Sequence, residues 1–337
     1  GLVAESQRRW GRKVSFQLGL LVALLSAGLG LLAVQQQWFW LLVTTTVVAG
    51  YYSANGHLYR FAAAELTDGS SREKAVSLVM AGGLIGAVIG PNLANHSKAL
   101  LSMPFAGAYL ALGVLAIIAL ALVSQIDFPP VPEKTSQSSE GRPLAEIMTQ
   151  PVFMVSALAA AISYGVMNLL MAATPLAMQV CGMPFGDTAL VLEWHVIGMF
   201  APGFFTGSLI KRFGVLNIMG VGVLLNLACI MVAINGNDLH HFVSALFLLG
   251  VGWNFLFTGS TTLSLDAYRP EEKDRAQAAI NFCVFAVMSL SSFASGALLT
   301  TQGWDWLNKG SVVPVLLTGM ALIWLAKRKA SGEAQPA

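Results

Sequence analysis

Ten apolar runs, each near twenty residues and parted by short polar gaps, dominate this 337-residue chain. They are 14–34, 38–64, 74–96, 102–124, 150–178, 188–210, 215–234, 240–265, 275–300 and 309–327. A bilayer core of roughly 30 Å takes about twenty apolar residues per helix, so each run is long enough to span one. Charged residues make up only 11% of the chain and hydrophobic ones 55%, against roughly 25% charged in an ordinary soluble domain. That leaves too little polar surface to clothe a soluble fold of this size, whereas a lipid-facing exterior needs none. The expected class is an all-α polytopic membrane protein with about ten spans.

Residues 125–149 break the pattern. They hold Asp127, Pro129, Pro130, Pro132, Glu133, Lys134, Glu140, Gly141, Arg142 and Glu146 with no apolar period. Such a stretch reads as a flexible linker between a bundle over 1–124 and a second over 150–329, with 330–337 as a tail. Lysine and arginine set the direction. The alternation of spans puts seventeen of the nineteen on one side and leaves Lys98 and Lys309 on the other. The positive-inside rule then places the linker, the basic loops and the C-terminus in the cytoplasm. A net charge of +2 with no basic, aromatic-laced stripe argues against a nucleic-acid partner. Cys181, Cys229 and Cys283 lack ligand spacing and read as small apolar residues rather than a metal site.

A basic mark recurs. Arg8-Arg9-Trp10-Gly11-Arg12-Lys13 is echoed by Lys211-Arg212-Phe213-Gly214, with the Arg-x-Gly pairs offset by 203. In each case the second helix that follows ends in an acid, Glu65 or Asp266, at intervals of 56 and 54 residues. Both repeats start and end on one side of the membrane, so they are parallel repeats about an axis along its normal. Two apolar segments precede the second mark in its bundle, but only seven residues precede the first. The chain is therefore expected to begin inside its first repeat, with about two helices absent.

With these marks the chain resembles the major facilitator superfamily of secondary transporters over its whole length, from after the family's second helix to its twelfth. Trp10-Gly11-Arg12-Lys13 is similar to the tail of the family's cytoplasmic signature, and Gly207–Gly214 is a partial second copy. Gly82-Gly83-Leu84-Ile85-Gly86-Ala87-Val88-Ile89-Gly90-Pro91 looks like the Gly-rich signature of its proton-driven antiporters. Glycines four apart, at Gly82, Gly86 and Gly90, let helices approach closely, and Pro91 permits a bend. The resemblance implies rocker-switch alternating access in a bacterial inner membrane, by a monomer that uses the proton gradient and no cofactor. Export is slightly favoured over uptake, and the cytoplasmic gate would involve Arg9, Gly11, Arg12, Lys13, Arg60, Glu65, Lys211, Arg212, Gly214 and Asp266.

Ionisable groups inside a span are costly and so are functional candidates. His57, Arg60 and Glu65 lie on or beside the 38–64 run, and Glu193 and His195 on the 188–210 run. Two helical residues apart is about 200° of rotation, so Glu193 and His195 face nearly opposite ways. The His195 stripe (Leu192, Gly198, Met199, Pro202, Thr206) is the better cavity wall, and an imidazole can carry a proton near neutral pH. Tyr51, Asn55, Asn168, Trp253, Asn254 and Asn281 would add stacking and hydrogen bonds for a small organic solute. A membrane enzyme and a non-transporting receptor or scaffold are the competing classes. His-x-x-x-His, Gly-x-Ser-x-Gly and the Walker loop are all missing from the sequence, which disfavours an enzyme and ATP drive.

Overall fold

In hydrocarbon a helix satisfies every backbone N–H and C=O within one segment, which is what a lone strand cannot do. The computed structural model describes residues 2–56, 58–59, 62–63, 66, 72–128, 142–269 and 272–331, and every regular element among them is helical. In order these are α1 (Leu2–Gln35), α2 (Phe39–Gly56), α3 (Arg72–Ser97), α4 (Ala106–Ser124), α5 (Leu144–Met148) and α6 (Pro151–Val180). Then come α7 (Phe185–Phe200), α8 (Gly203–Phe213), α9 (Val215–Asn235), α10 (Leu239–Ser264) and α11 (Lys273–Ala330).

The chain divides into two compact units, Gly1–Lys134 and Thr135–Ala337. In the first, α1 packs along α2 and α4, and α3 packs along α4. In the second, α10 is the central post, against α6, α7 and α9, while α11 lies along α6 and α9. Leu246, Leu249, Leu256 and Leu263 of α10 meet Met167 and Leu170 of α6 and Met219 and Val223 of α9 in one buried core.

Two glycines show why the basic mark repeats. Gly11 inside α1 has φ 77° and ψ 174°, and Gly214 between α8 and α9 has φ 85° and ψ 148°. Side chains with a Cβ rarely enter this region, so glycine is the residue that lets a helix stop and restart there. The sequence repeat is thus a repeat of backbone geometry. Gly303 makes the same joint within α11, at φ 82° and ψ 174°.

The expectation of ten spans is corrected. Among the described residues six helices are long and apolar enough to cross a membrane, or seven if the bent pair α7 and α8 is one span. Runs 275–300 and 309–327 fall in one stretch, Arg275–Ala330, that consists of two helices meeting across a kink at Gly303. Run 188–210 breaks after Phe200 and resumes at Gly203 with a 41° bend, because Pro202 cannot continue the ladder. The helices α2 and α3 are not among the six. The first carries three Thr, two Tyr and Asn55, and the second has charges at its start and Pro91, Asn92, Asn95 and His96 towards its end.

The close packing expected at Gly82, Gly86 and Gly90 has no counterpart among the described residues. All three are exposed, and a Cβ on any of them would have no described neighbour within 4 Å. Close backbone approaches lie between α7 and α10 and, at Gly222 and Gly252, between α9 and α10. A Cβ on Gly250 would run into the His195 carbonyl, and one on Gly198 would lie 2.7 Å from the Phe247 carbonyl oxygen.

One fastening holds the polar end of the second unit. Arg142, just ahead of α5, donates its backbone N–H and its Nε to Glu272 Oε1, both at 2.9 Å. Its terminal nitrogen reaches Oε2 at 2.8 Å, and the Arg269 amide donates to the same oxygen at 2.9 Å. The Arg142 guanidinium, followed by the Arg269 amide, holds the Glu272 carboxyl far below the usual carboxylate range. A carboxyl depressed by folding adds stability above its ordinary value near 4.5, and that stability is lost as pH falls from there towards the folded value. Glu272→Gln should therefore lower the unfolding temperature in detergent at about pH 7 and flatten the acid loss between about pH 5 and pH 3. Superimposable acid curves for variant and wild type would show that the clamp contributes nothing.

Candidate functional site

In the first unit, hydroxyls from either side of the Gly11 joint converge on one amide. Ser6 and Ser15 lie with their Oγ atoms 2.7 Å apart, and Ser15 donates to Asn55 Oδ1 at 3.0 Å. Tyr51 donates its phenol proton to Ser6 at 2.9 Å, and Asn55 Nδ2 donates to the Tyr51 carbonyl at 3.1 Å. Tyr51 and Asn55 share a face of α2, as their spacing predicts. Asn55 is buried by this network and presents no free amide to a cavity. The two serines carry no signal in the sequence, because a hydroxyl inside an apolar helix usually bonds its own backbone. His57, Arg60 and Glu65 lie outside the described residues.

The basic mark beside it closes on the start of the linker. Lys13 Nζ is 3.0 Å from Asp127 Oδ1, Gln17 donates to Ser124 at 3.0 Å, and Phe16 meets Phe128 at 5.5 Å between ring centroids. Arg9 is exposed and Arg12 half-buried. In the second copy Lys211 and Arg212 are exposed, with the Arg212 guanidinium over the Phe213 ring. Asp266 pairs with Lys329 at 3.3 Å, at the far end of α11.

In the second unit the His195 ring lies fully buried, not open to a cavity as expected. The physical reason is the backbone contact of α7 with α10, which seals that face. Nδ1 lies 2.7 Å from the Leu246 carbonyl oxygen, and since a carbonyl only accepts, Nδ1 carries the proton. Nε2 is buried and has no partner among the described residues. Glu193 is half-buried on the same helix.

Asn254 spans the break between α7 and α8. Its Nδ2 donates to the Met199 carbonyl at 2.7 Å and its Oδ1 lies 2.7 Å from the Thr206 hydroxyl. Beside it, Trp253 stacks on Phe257, with centroids 5.0 Å apart and planes 10° apart, and Tyr164 of α6 meets both rings edge-on at 5.4 Å. The Trp253 indole N–H is buried with no acceptor among the described residues. Such a group is costly unless something completes it. Asn168 Nδ2 faces the Met288 carbonyl and the Ser291 and Ser292 hydroxyls at 2.8 to 3.2 Å, tying α6 to α11. Asn281 is exposed on α11. Among the described residues there is no group of His, Cys, Asp or Glu that could hold a metal ion. Trp253, Asn254 and Tyr164 are brought together, while Asn55, Asn168 and His195 are spent on helix-to-helix bonds. Stripes along single helices cannot distinguish these uses, because the partner is on another helix.

The comparisons agree with this architecture. A family model of the Major Facilitator Superfamily matches residues 4–202 and 157–337. The chain is 37% identical over 303 residues to the riboflavin transporter RfnT of Brucella anthropi, covering 89% of this chain and 76% of that one. It is 26% identical to an uncharacterized MFS-type transporter, YddS, of Bacillus subtilis, covering 97% and 79%. Among solved structures it is similar in fold to a bacterial homolog of the human lysosomal transporter Spinster, inward-facing and unoccupied, at a TM-score of 0.70 and 15% identity, covering 99% and 87%. The Escherichia coli fucose:proton symporter FucP aligns at a TM-score of 0.61 and 15% identity, covering 97% and 86%. All are transporters and none is an enzyme. This chain is an integral membrane protein that belongs to the Major Facilitator Superfamily of transporters.

Proposed function

We propose that this protein moves a planar, nitrogen-rich aromatic solute of the riboflavin type across a bacterial inner membrane by alternating access. The observation that carries the reading is the buried indole N–H of Trp253, without an acceptor among the described residues, inside the ring cluster of Tyr164 and Phe257. A flat heterocycle offers both things that cluster needs. Its face stacks on the aromatic rings, and its carbonyl or ring nitrogen accepts the indole proton. The riboflavin transporter at 37% identity supports the same solute class.

Coupling to protons is proposed through His195. With Nδ1 committed to Leu246, Nε2 is the nitrogen left to gain and lose a proton. It lies where α7 and α10 touch, so a proton there interacts differently with a closed and a parted pair of helices. That difference is what lets a proton bias one state over another. The fucose:proton symporter shares the fold, which makes proton drive a natural companion reading. The basic loops and the C-terminus are proposed to face the cytoplasm, the protein to work as a monomer, and the Gly82–Pro91 segment to favour export.

Riboflavin flux into or out of proteoliposomes, followed by its fluorescence, tests the solute. Trp253→Ala should cut kcat/KM about tenfold, equal to ~1.4 kcal/mol of lost stacking and hydrogen bonding. Trp253→Phe should recover part of it, since the ring returns without its N–H. No riboflavin flux above empty vesicles in wild type, or equal flux in all three proteins, would overturn the assignment. For coupling, His195→Gln should keep the wild-type unfolding temperature within a few degrees but lose the acceleration by an imposed pH gradient. An unchanged gradient response would dismiss His195 as the proton carrier.

A further inference from the structure

The tie between α6 and α11 leaves two hydrogen-bonding groups over. Asn168 turns its Nδ2 towards the Met288 carbonyl at 3.2 Å, the Ser291 hydroxyl at 2.9 Å and the Ser292 hydroxyl at 2.8 Å. A carbonyl only accepts, so the amide nitrogen has to be on that side and Oδ1 on the other. Oδ1 receives no hydrogen bond among the described residues, whereas Asn55 and Asn254 use both ends of their amides. Helix-to-helix bonding thus spends the nitrogen of Asn168 and leaves its oxygen.

Ser292 supplies the complementary group. Its neighbours Ser289, Ser291 and Ser295 return their protons to carbonyls of their own helix, at Phe285, Met288 and Ser292, over 2.8 to 2.9 Å. That is the usual fate of a helical hydroxyl. Ser292 departs from it. Its Oγ accepts from Asn168, and its proton meets no acceptor among the described residues. The side chain is exposed, and Asn168 is half-buried. An acceptor and a donor therefore stand side by side. An alcohol fits both, because its one oxygen donates to Oδ1 while it accepts from Ser292. A carboxylate has no proton to give and would meet the amide oxygen lone pair against lone pair.

Position gives the alcohol its context. Asn168 follows Tyr164 by four residues on the same face of α6, one helical turn or about 5.4 Å along the axis. Tyr164 in turn meets the Trp253 and Phe257 rings edge-on. We infer that Asn168 Oδ1 and the Ser292 hydroxyl bind an alcohol on a hydroxylated chain of the solute, one turn from the rings that take its flat part. This rests on the reading that those rings take a flat heterocycle.

Quenching of flavin fluorescence by the full chain in mild detergent tests the pair. The two probes are riboflavin, whose ring bears a polyhydroxy chain, and lumiflavin, which carries a methyl group at the same nitrogen. Wild type should bind riboflavin about tenfold more tightly than lumiflavin. Ser292→Ala should shrink that preference to about threefold or less and hold lumiflavin affinity within about twofold of wild type. Ser292→Thr, which keeps a hydroxyl, should keep most of the preference. Ser289→Ala removes a proton already committed to Phe285 and should leave both affinities unchanged. Equal affinity of wild type for the two flavins would overturn the alcohol site and leave the heterocycle reading standing, whereas binding of neither would overturn both. A parallel loss of both flavins in Ser292→Ala would make Ser292 a helix fastener and overturn the alcohol site as well.

Discussion

The need to satisfy every backbone amide without water governs this molecule. It makes the described elements helices, and it dictates where those helices are allowed to stop. A break leaves carbonyls and amides unpaired, so breaks fall where a residue or a side chain repairs the loss. Gly11, Gly214 and Gly303 do this through a backbone conformation that other residues rarely take. At Pro202 the repair comes from a side chain instead, through Asn254 and Thr206. The polar inventory of the spans is therefore mostly structural. Amides and hydroxyls such as Asn168, Asn254 and Ser15 spend their bonding capacity between helices, where it is worth about 0.6 to 2 kcal/mol each.

Much of the fold is legible in the residues because the physics is local. Apolar run length announces helices that can cross a bilayer, and the paired Arg-x-Gly marks announce a repeat that the backbone angles of Gly11 and Gly214 repeat in turn. The number of spans is less legible. A run of hydropathy does not say whether Gly303 divides a stretch or Pro202 merely bends one. The glycine motif at 82–90 is hard to read for a related reason. Spacing shows that a glycine face exists, but a close approach needs a partner helix, as at Gly198 with Gly250 and at Gly222 with Gly252.

The site is only partly legible. Trp253 and Asn254 stand out as aromatic and amide residues in an apolar run, yet their division of labour needs Tyr164, Met199 and Thr206 from three other helices. The Arg142–Glu272 pair is invisible to any local pattern, since 130 residues separate its members. Long-range ion pairs of this kind follow from topology, and neither residue has a neighbour in sequence that announces the other.

The bend between α7 and α8 has a mechanical corollary. Asn254 is the pin that holds its two arms, and the indole of Trp253 is rooted in the neighbouring residue of the same α10 turn. Both side chains leave the same turn of α10, so a translation of that helix carries the elbow and the aromatic cluster along together.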